Sequence, residues 1–134
     1  MRGLVATHGN LGAELVKVVE MIMGPGSGLT SLTNHGKSAP DLVAEMRDWL
    51  DAEDGGEGLP VGDAVLFLDD YGGSCAHAAQ LACRAEDPVA IISGVNLAML
   101  LGFVTWRDDL DLAELSGRLV SKGREAITRL GGSP

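Results

Sequence analysis

The sequence predicts an α/β fold: a three-layer sandwich with a central four-stranded parallel sheet and helices on both faces. Three observations carry this. Short continuous apolar runs at 3–6, 64–68 and 89–92 suit strands covered on both sides. Stretches with apolar residues at helical spacing alternate with them. Loops rich in Gly, His, Asp, Asn and Ser follow the strands, where open parallel sheets bind their ligands. The alternation dictates right-handed crossovers.

The first strand, Gly3-Leu4-Val5-Ala6, runs into the loop Thr7-His8-Gly9-Asn10. A helix from about Leu11 to Met23 follows, with Leu11, Leu15, Val18, Val19 and Ile22 expected inward and Glu14, Lys17 and Glu20 outward. Gly24-Pro25-Gly26 stops it. Gly28 to Leu32 is a weak second strand, and Thr33-Asn34-His35-Gly36 is its turn-rich exit. Ser38 or Asp41 starts the second helix, which turns Leu42, Val43, Met46, Trp49 and Leu50 to the core. Residues 51–62 are Gly-rich and acidic and read as a solvated loop within one domain spanning 1–134.

The third strand, Ala64 to Leu68, leads into Asp69-Asp70-Tyr71-Gly72-Gly73-Ser74. A helix with small residues (Ala76, Ala78, Ala79, Ala82) then runs to about Arg84. Val89 to Ile92 is the fourth strand, followed by Gly94-Val95-Asn96 and a helix to about Trp106. The fifth helix spans Asp111 to about Lys122, with Gly123 expected to end it. Ala126 to Leu130 is β-compatible, and 131–134 form a loose tail. Met21, Met23, Met46 and Met99 fall at apolar helix positions and are expected in the core. Trp49 reads as a packed anchor and Trp106 as a contributor to a subunit interface.

If strands one and three are neighbours, His8 and Asp69 meet at the topological switch point. An imidazole beside a carboxylate is an activated nucleophile or a base. Gly-Gly-Ser opening the next helix offers N–H groups to an anion. Together these point to phosphoryl transfer through His8, with Asp69 orienting it. Thr7 and Gly9 in the first loop and Gly72, Gly73 and Ser74 in the second are the candidate phosphate-binding residues. The plain alternative is a satisfied loop histidine; Thr7, Gly9 and the facing Asp69 favour the catalytic reading. Asp70 reads as a rim charge and His35 as a surface residue. Cys75 and His77 do not have an established zinc spacing, so no metal is expected. No cofactor is expected either.

A formal net charge of -9 argues against nucleic acid and anionic membranes as partners. The chain starts without a signal-like apolar region, and its most apolar stretch, 89–104, is broken by Ser93-Gly94 and Asn96, so no membrane insertion is expected. Cys75 and Cys83 lie eight apart, about 12 Å along a helix, too far for a disulfide. Free thiols fit a cytoplasmic location.

Val5-Ala6-Thr7-His8-Gly9, Val65-Leu66-Phe67-Leu68-Asp69, Gly72-Gly73-Ser74, Ser93 to Leu100 and Gly123-Arg124-Glu125-Ala126 stand in an order and spacing that resemble a known family. It is the mannose-type enzyme IIA domain of the bacterial phosphoenolpyruvate-dependent sugar phosphotransferase system. The resemblance implies a phosphocarrier: His8 takes a phosphoryl group from HPr and passes it to an enzyme IIB, Asp69 holds the imidazole, and Ser74 lies at the phosphoryl site. It implies strand order 2-1-3-4 and a homodimer in which a short antiparallel C-terminal strand, matching Ala126 to Leu130, joins the partner's sheet. Three positions depart from the family: Cys75 and Ala98 replace usual prolines, and His77 replaces a common Asn. No IIB pattern follows in this chain, which suggests a regulatory role beside transport. The alternatives are a regulatory binding protein that signals by its phosphorylation state, and the phosphoryl-donor subunit of dihydroxyacetone kinase, whose matching loop lacks Gly-Gly-Ser. A two-component receiver would need an acidic pair after strand one, where His8 stands.

Overall fold

The computed structural model describes residues 1–52 and 62–132. Most of the acidic loop expected at 51–62 lies outside the described residues. The elements are β1 (Arg2–Thr7), α1 (Leu11–Met23), β2 (Leu29–Thr33), α2 (Ala39–Asp51), β3 (Ala64–Leu68), α3 (Ser74–Ala82), β4 (Val89–Ser93), α4 (Leu97–Trp106) and α5 (Leu112–Glu125). The four strands form one parallel sheet in the order β2-β1-β3-β4. The central position of β1 and β3 explains the burial of β3 throughout and of β1 from Gly3 to Thr7.

Alternation along the strands divides the core. Leu4, Ala6, Leu66 and Leu68 face α2 and α3, packing with Leu42, Met46, Leu50 and the alanines of α3. Val5, Val65 and Phe67 face the other way, with Val19, Leu100, Phe103, Leu115 and Leu119. There Phe67 and Phe103 meet edge to face at 5.5 Å. The helix starts follow local chemistry. Ser38 and Asp41 form a reciprocal capping box on α2, and the Asn96 and Asp111 side chains cap α4 and α5.

Helix α1 departs from its expected orientation. Leu11 and Ile22 are 49% and 56% exposed, and Met21 and Met23 are exposed too, while Met46 and Met99 are buried. The stripe facing the sheet includes Gly12, Leu15, Val16 and Val19. A Cβ at Gly12 would lie 2.8 Å from the Val5 carbonyl oxygen, so the glycine is the contact point that lets α1 lie close to β1. Hydrophobic spacing alone cannot see a contact made by a residue without a side chain.

The end of α5 also differs. Gly123 does not stop it: the helix continues to Glu125, and Gly123 is buried, where a Cβ would meet Met99 Cε at 2.8 Å. Its carbonyl accepts a bond from Asn96 Nδ2 at 2.9 Å. The glycine serves close packing of α5 on the β4–α4 corner. Helix α3 ends at Ala82, short of Arg84. Residues 127–130 carry no strand here, and Ile127 and Leu130 are exposed. Trp49 packs at the edge of the core under the Arg2 guanidinium. Trp106 packs within its own chain against Gly102, with Arg118 over its ring. No helix among the described residues is long and apolar enough to cross a membrane.

Candidate active site

The register pairs Ala6 with Leu68, so β1 and β3 end side by side and deliver His8 and Asp69 to one point. Asp69 Oδ2 lies 2.7 Å from His8 Nδ1 and accepts the His8 backbone N–H at 3.0 Å. Its other oxygen accepts the Asp70 N–H at 3.0 Å. The carboxylate is thus fixed on both oxygens and cannot turn from the ring. It is largely shielded, at 15% side-chain exposure, while the His8 side chain is 52% exposed. Burial alone would push the Asp69 carboxyl up; the His8 backbone and ring bonds outweigh it and hold it below its ordinary range. The Asp69 hydrogen bond, then its charge, raise His8 above its ordinary value of 6.5.

With Nδ1 engaged, Nε2 is the free ring nitrogen. Its side of the ring lies against the start of α3: a Cβ at Gly73 would be 3.0 Å from His8 Cε1 and 3.4 Å from Nε2. Gly73 is the N-cap of α3 and gives it no side-chain cap. The N–H groups of the first turn therefore receive no side-chain cap, and such an uncapped helix start beside the ring attracts an anion. Ser74, the first residue of α3, is exposed at the same place.

The remaining candidates are placed differently. Thr7 is fully buried; its Oγ1 accepts the Gly12 N–H at 2.7 Å and donates to the His8 carbonyl at 3.2 Å. It anchors the loop to α1. The Gly9 N–H donates to Asn34 Oδ1 at 3.3 Å, and the Gly72 N–H to Asp70 Oδ1 at 2.7 Å. Both are spent within the loops. Gly9 has φ +54, so the turn after His8 suits a residue without a side chain. Asp70 shapes the Gly72 turn and stays away from the ring's Nδ1. His35 is exposed, and its N–H bonds Thr33 Oγ1. His77 is exposed while Cys75 is buried in the core behind the site, so the two do not converge. Burial, then the Asp69 and Asp70 charges, push the Cys75 thiol up, away from the reactive thiolate.

Asn34 was not singled out in the sequence, yet it touches two of the three loops around His8. Besides Gly9, it donates from Nδ2 to Ser74 Oγ at 3.2 Å. An Asn two residues before a Gly in a turn carries the signal of any turn residue. Only its place at the carboxyl end of the strand beside β1 could have marked it.

A family model described as "PTS system fructose IIA component" (EIIA-man) matches residues 3–120. The PTS system mannose-specific EIIAB component of Escherichia coli strain K12 is 31% identical over 134 residues, covering 98% of this chain and 40% of that protein. This chain thus spans about two fifths of the curated relatives it matches. Among solved structures, phosphotransferase system component EIIA from Streptococcus agalactiae superposes with a TM-score of 0.82 at 18% identity, covering 96% of this chain and 95% of that one. The mannose/sorbose-specific IIA subunit from Enterococcus faecalis gives 0.81 at 20%, covering 99% and 96%. The structural likenesses establish the fold; the family match over most of the length establishes more, and the chain belongs to the mannose-type enzyme IIA family of the phosphotransferase system.

Proposed function

We propose that the chain is a phosphocarrier whose His8 Nε2 accepts a phosphoryl group from phospho-HPr and passes it to an enzyme IIB. One observation carries the reading: the 2.7 Å contact of His8 Nδ1 with a fixed Asp69, which leaves Nε2 free against the uncapped start of α3. Asp69 accepts a hydrogen bond from the Nδ1–H, which keeps its proton, so Nε2 holds the lone pair. That lone pair forms the new N–P bond as the donor N–P bond breaks, its electron pair returning to the donor ring nitrogen. The phosphorylated ring keeps its Nδ1 proton and is cationic, and the Asp69 charge stabilises it. The Ser74 hydroxyl and the N–H groups of Gly73 and Ser74 meet the phosphoryl oxygens. Thr7, Gly9 and Gly72, whose polar groups are engaged within the loops, shape this cradle rather than line it. Transfer to the acceptor is the same displacement in reverse.

The role implies a cytoplasmic location, which suits the free thiols Cys75 and Cys83. A homodimer completes the reading: 127–130, with Ile127 and Leu130 exposed, add as a strand to the outer edge of a second copy's β4. Incubation with phosphoenolpyruvate, enzyme I and HPr should place one acid-labile, base-stable phosphoryl group on the chain. His8→Ala should abolish it. Label that persists in that variant would remove His8 from its role.

A further inference from the structure

We propose that Asn34 is a positioning residue for phosphoryl transfer, aiming the Ser74 hydroxyl proton at the phosphoryl group; this rests on the phosphocarrier reading above. Asn34 follows β2 directly and its backbone is held at both ends. Its N–H donates to the Thr7 carbonyl at 3.1 Å, and its own carbonyl accepts the Lys37 N–H at 3.2 Å. The side chain projects from this fixed base between the loops after β1 and β3.

The orientation of the amide follows from chemistry. The Gly9 N–H can only donate, so the atom facing it is Oδ1, and Nδ2 must face Ser74 Oγ. A hydroxyl has one proton and two lone pairs. Nδ2 donates into one lone pair, which forbids Ser74 from spending its proton on Asn34. The proton is left for an acceptor on the open side, where Nε2 of His8 and the start of α3 converge. The same amide removes the Gly9 N–H from competition for the phosphoryl oxygens. One side chain thus sets which donors serve the anion and which do not.

The aspartate variant reverses this logic while keeping shape. A carboxylate at position 34 would still accept from Gly9, but toward Ser74 it could only accept. It would capture the hydroxyl proton and add negative charge beside the phosphoryl group. Were Asn34 only a structural strap, Asn34→Asp would be the mildest substitution. As a positioning residue it should be the worst.

The test is the rate of His8 labelling by phospho-HPr in the wild type, Asn34→Ala, Asn34→Asp, Ser74→Ala and the Asn34→Ala/Ser74→Ala double variant, each checked for an unchanged melting profile. Loss of one directed hydrogen bond predicts labelling about five- to tenfold slower in Asn34→Ala. Asn34→Asp should be slower still. In the Ser74→Ala background, Asn34→Ala should cost less than it does alone, because its target is gone. A wild-type chain that takes no label overturns the phosphocarrier reading and Asn34's role with it. A labelled wild type overturns the Asn34 role alone in either of two cases: Asn34→Asp matches it in rate, or Asn34→Ala costs as much with Ser74 removed as with Ser74 present.

Discussion

Gly73→Ala tests whether the His8 ring reacts from the position in which it sits. Gly73 has φ -92 and ψ -178, an extended conformation that alanine adopts without strain. The effect of the methyl group is therefore one of space. It would stand 3.0 Å from His8 Cε1, 3.2 Å from Asp70 Oδ1 and 3.4 Å from His8 Nε2. Carbon atoms in contact prefer about 3.5–4.0 Å, so the ring must give by roughly 0.5–1 Å. Asp69 holds Nδ1, so the ring swings about that bond and carries Nε2 away from the start of α3. A misplacement of about 1 Å costs on the order of a hundredfold in rate, so labelling by phospho-HPr should slow about ten- to hundredfold. The fold should hardly notice. Alanine is a poorer N-cap than glycine by about 0.5 kcal/mol, a fall of about 2 °C in melting temperature for a chain of this length. Rapid-quench labelling and a thermal melt, read together, separate the two effects. A Gly73→Ala chain that melts normally and is labelled within twofold of the wild-type rate would refute the reasoning, since the ring would then not use the space it occupies.

Further predictions concern charge and assembly. The His8 ring, followed by NMR, should titrate above 6.5; Asp69→Asn should lower the midpoint markedly and Asp70→Asn only slightly, and the opposite order would assign the orienting role to Asp70. Because the folded His8 pKa is raised, the stability it contributes is complete below 6.5 and is lost as pH rises through the folded value; because Asp69 is lowered from 3.8, its contribution is present above 3.8 and is lost as pH falls through its folded value. Phosphoryl acceptance needs the neutral ring, so its rate should rise with pH through the raised His8 midpoint. Removal of 127–134 should convert a dimer into a monomer in light scattering while leaving α5 and Gly123 intact, and a full-length monomer at micromolar concentration would exclude strand exchange.

What could be read from the sequence was what chemistry makes hard to replace. His8 and Asp69 stand directly after buried apolar strands, and the parallel register alone brings them together. The layers were legible because apolar runs and helical spacing report burial. The rotation of α1 was not, because its contact with β1 is made through Gly12. Gly123 was misread for a related reason: a glycine late in a helix signals a cap, and only the partner face, with Met99 and Asn96, shows that it is a packing residue. The division of labour among backbone donors was also hidden. Whether the Gly9 or Gly72 N–H reaches a ligand depends on which side chain claims it first, and Asn34 and Asp70 do so through turns whose sequence says only that they are turns.

The same hidden bonds suit the proposed passing of a group between proteins. A site that consumed its substrate would gain by enclosing the nucleophile and surrounding the anion with donors. Here the rigid part is the shielded Asp69, bonded on both oxygens, and the mobile chemistry is at the exposed end of the His8 ring. With the Gly9 and Gly72 N–H groups withdrawn, a phosphoryl group on His8, as proposed, would face the start of α3 and one hydroxyl on one side and open solvent on the other. Fewer donors hold the phosphorylated state less tightly, and a carrier needs that: a deep cradle would make acceptance favourable and release slow. The open side is the direction from which a donor and an acceptor nitrogen must each approach in line with the N–P bond. Restoring donors to the cradle should therefore speed loading less than it slows unloading.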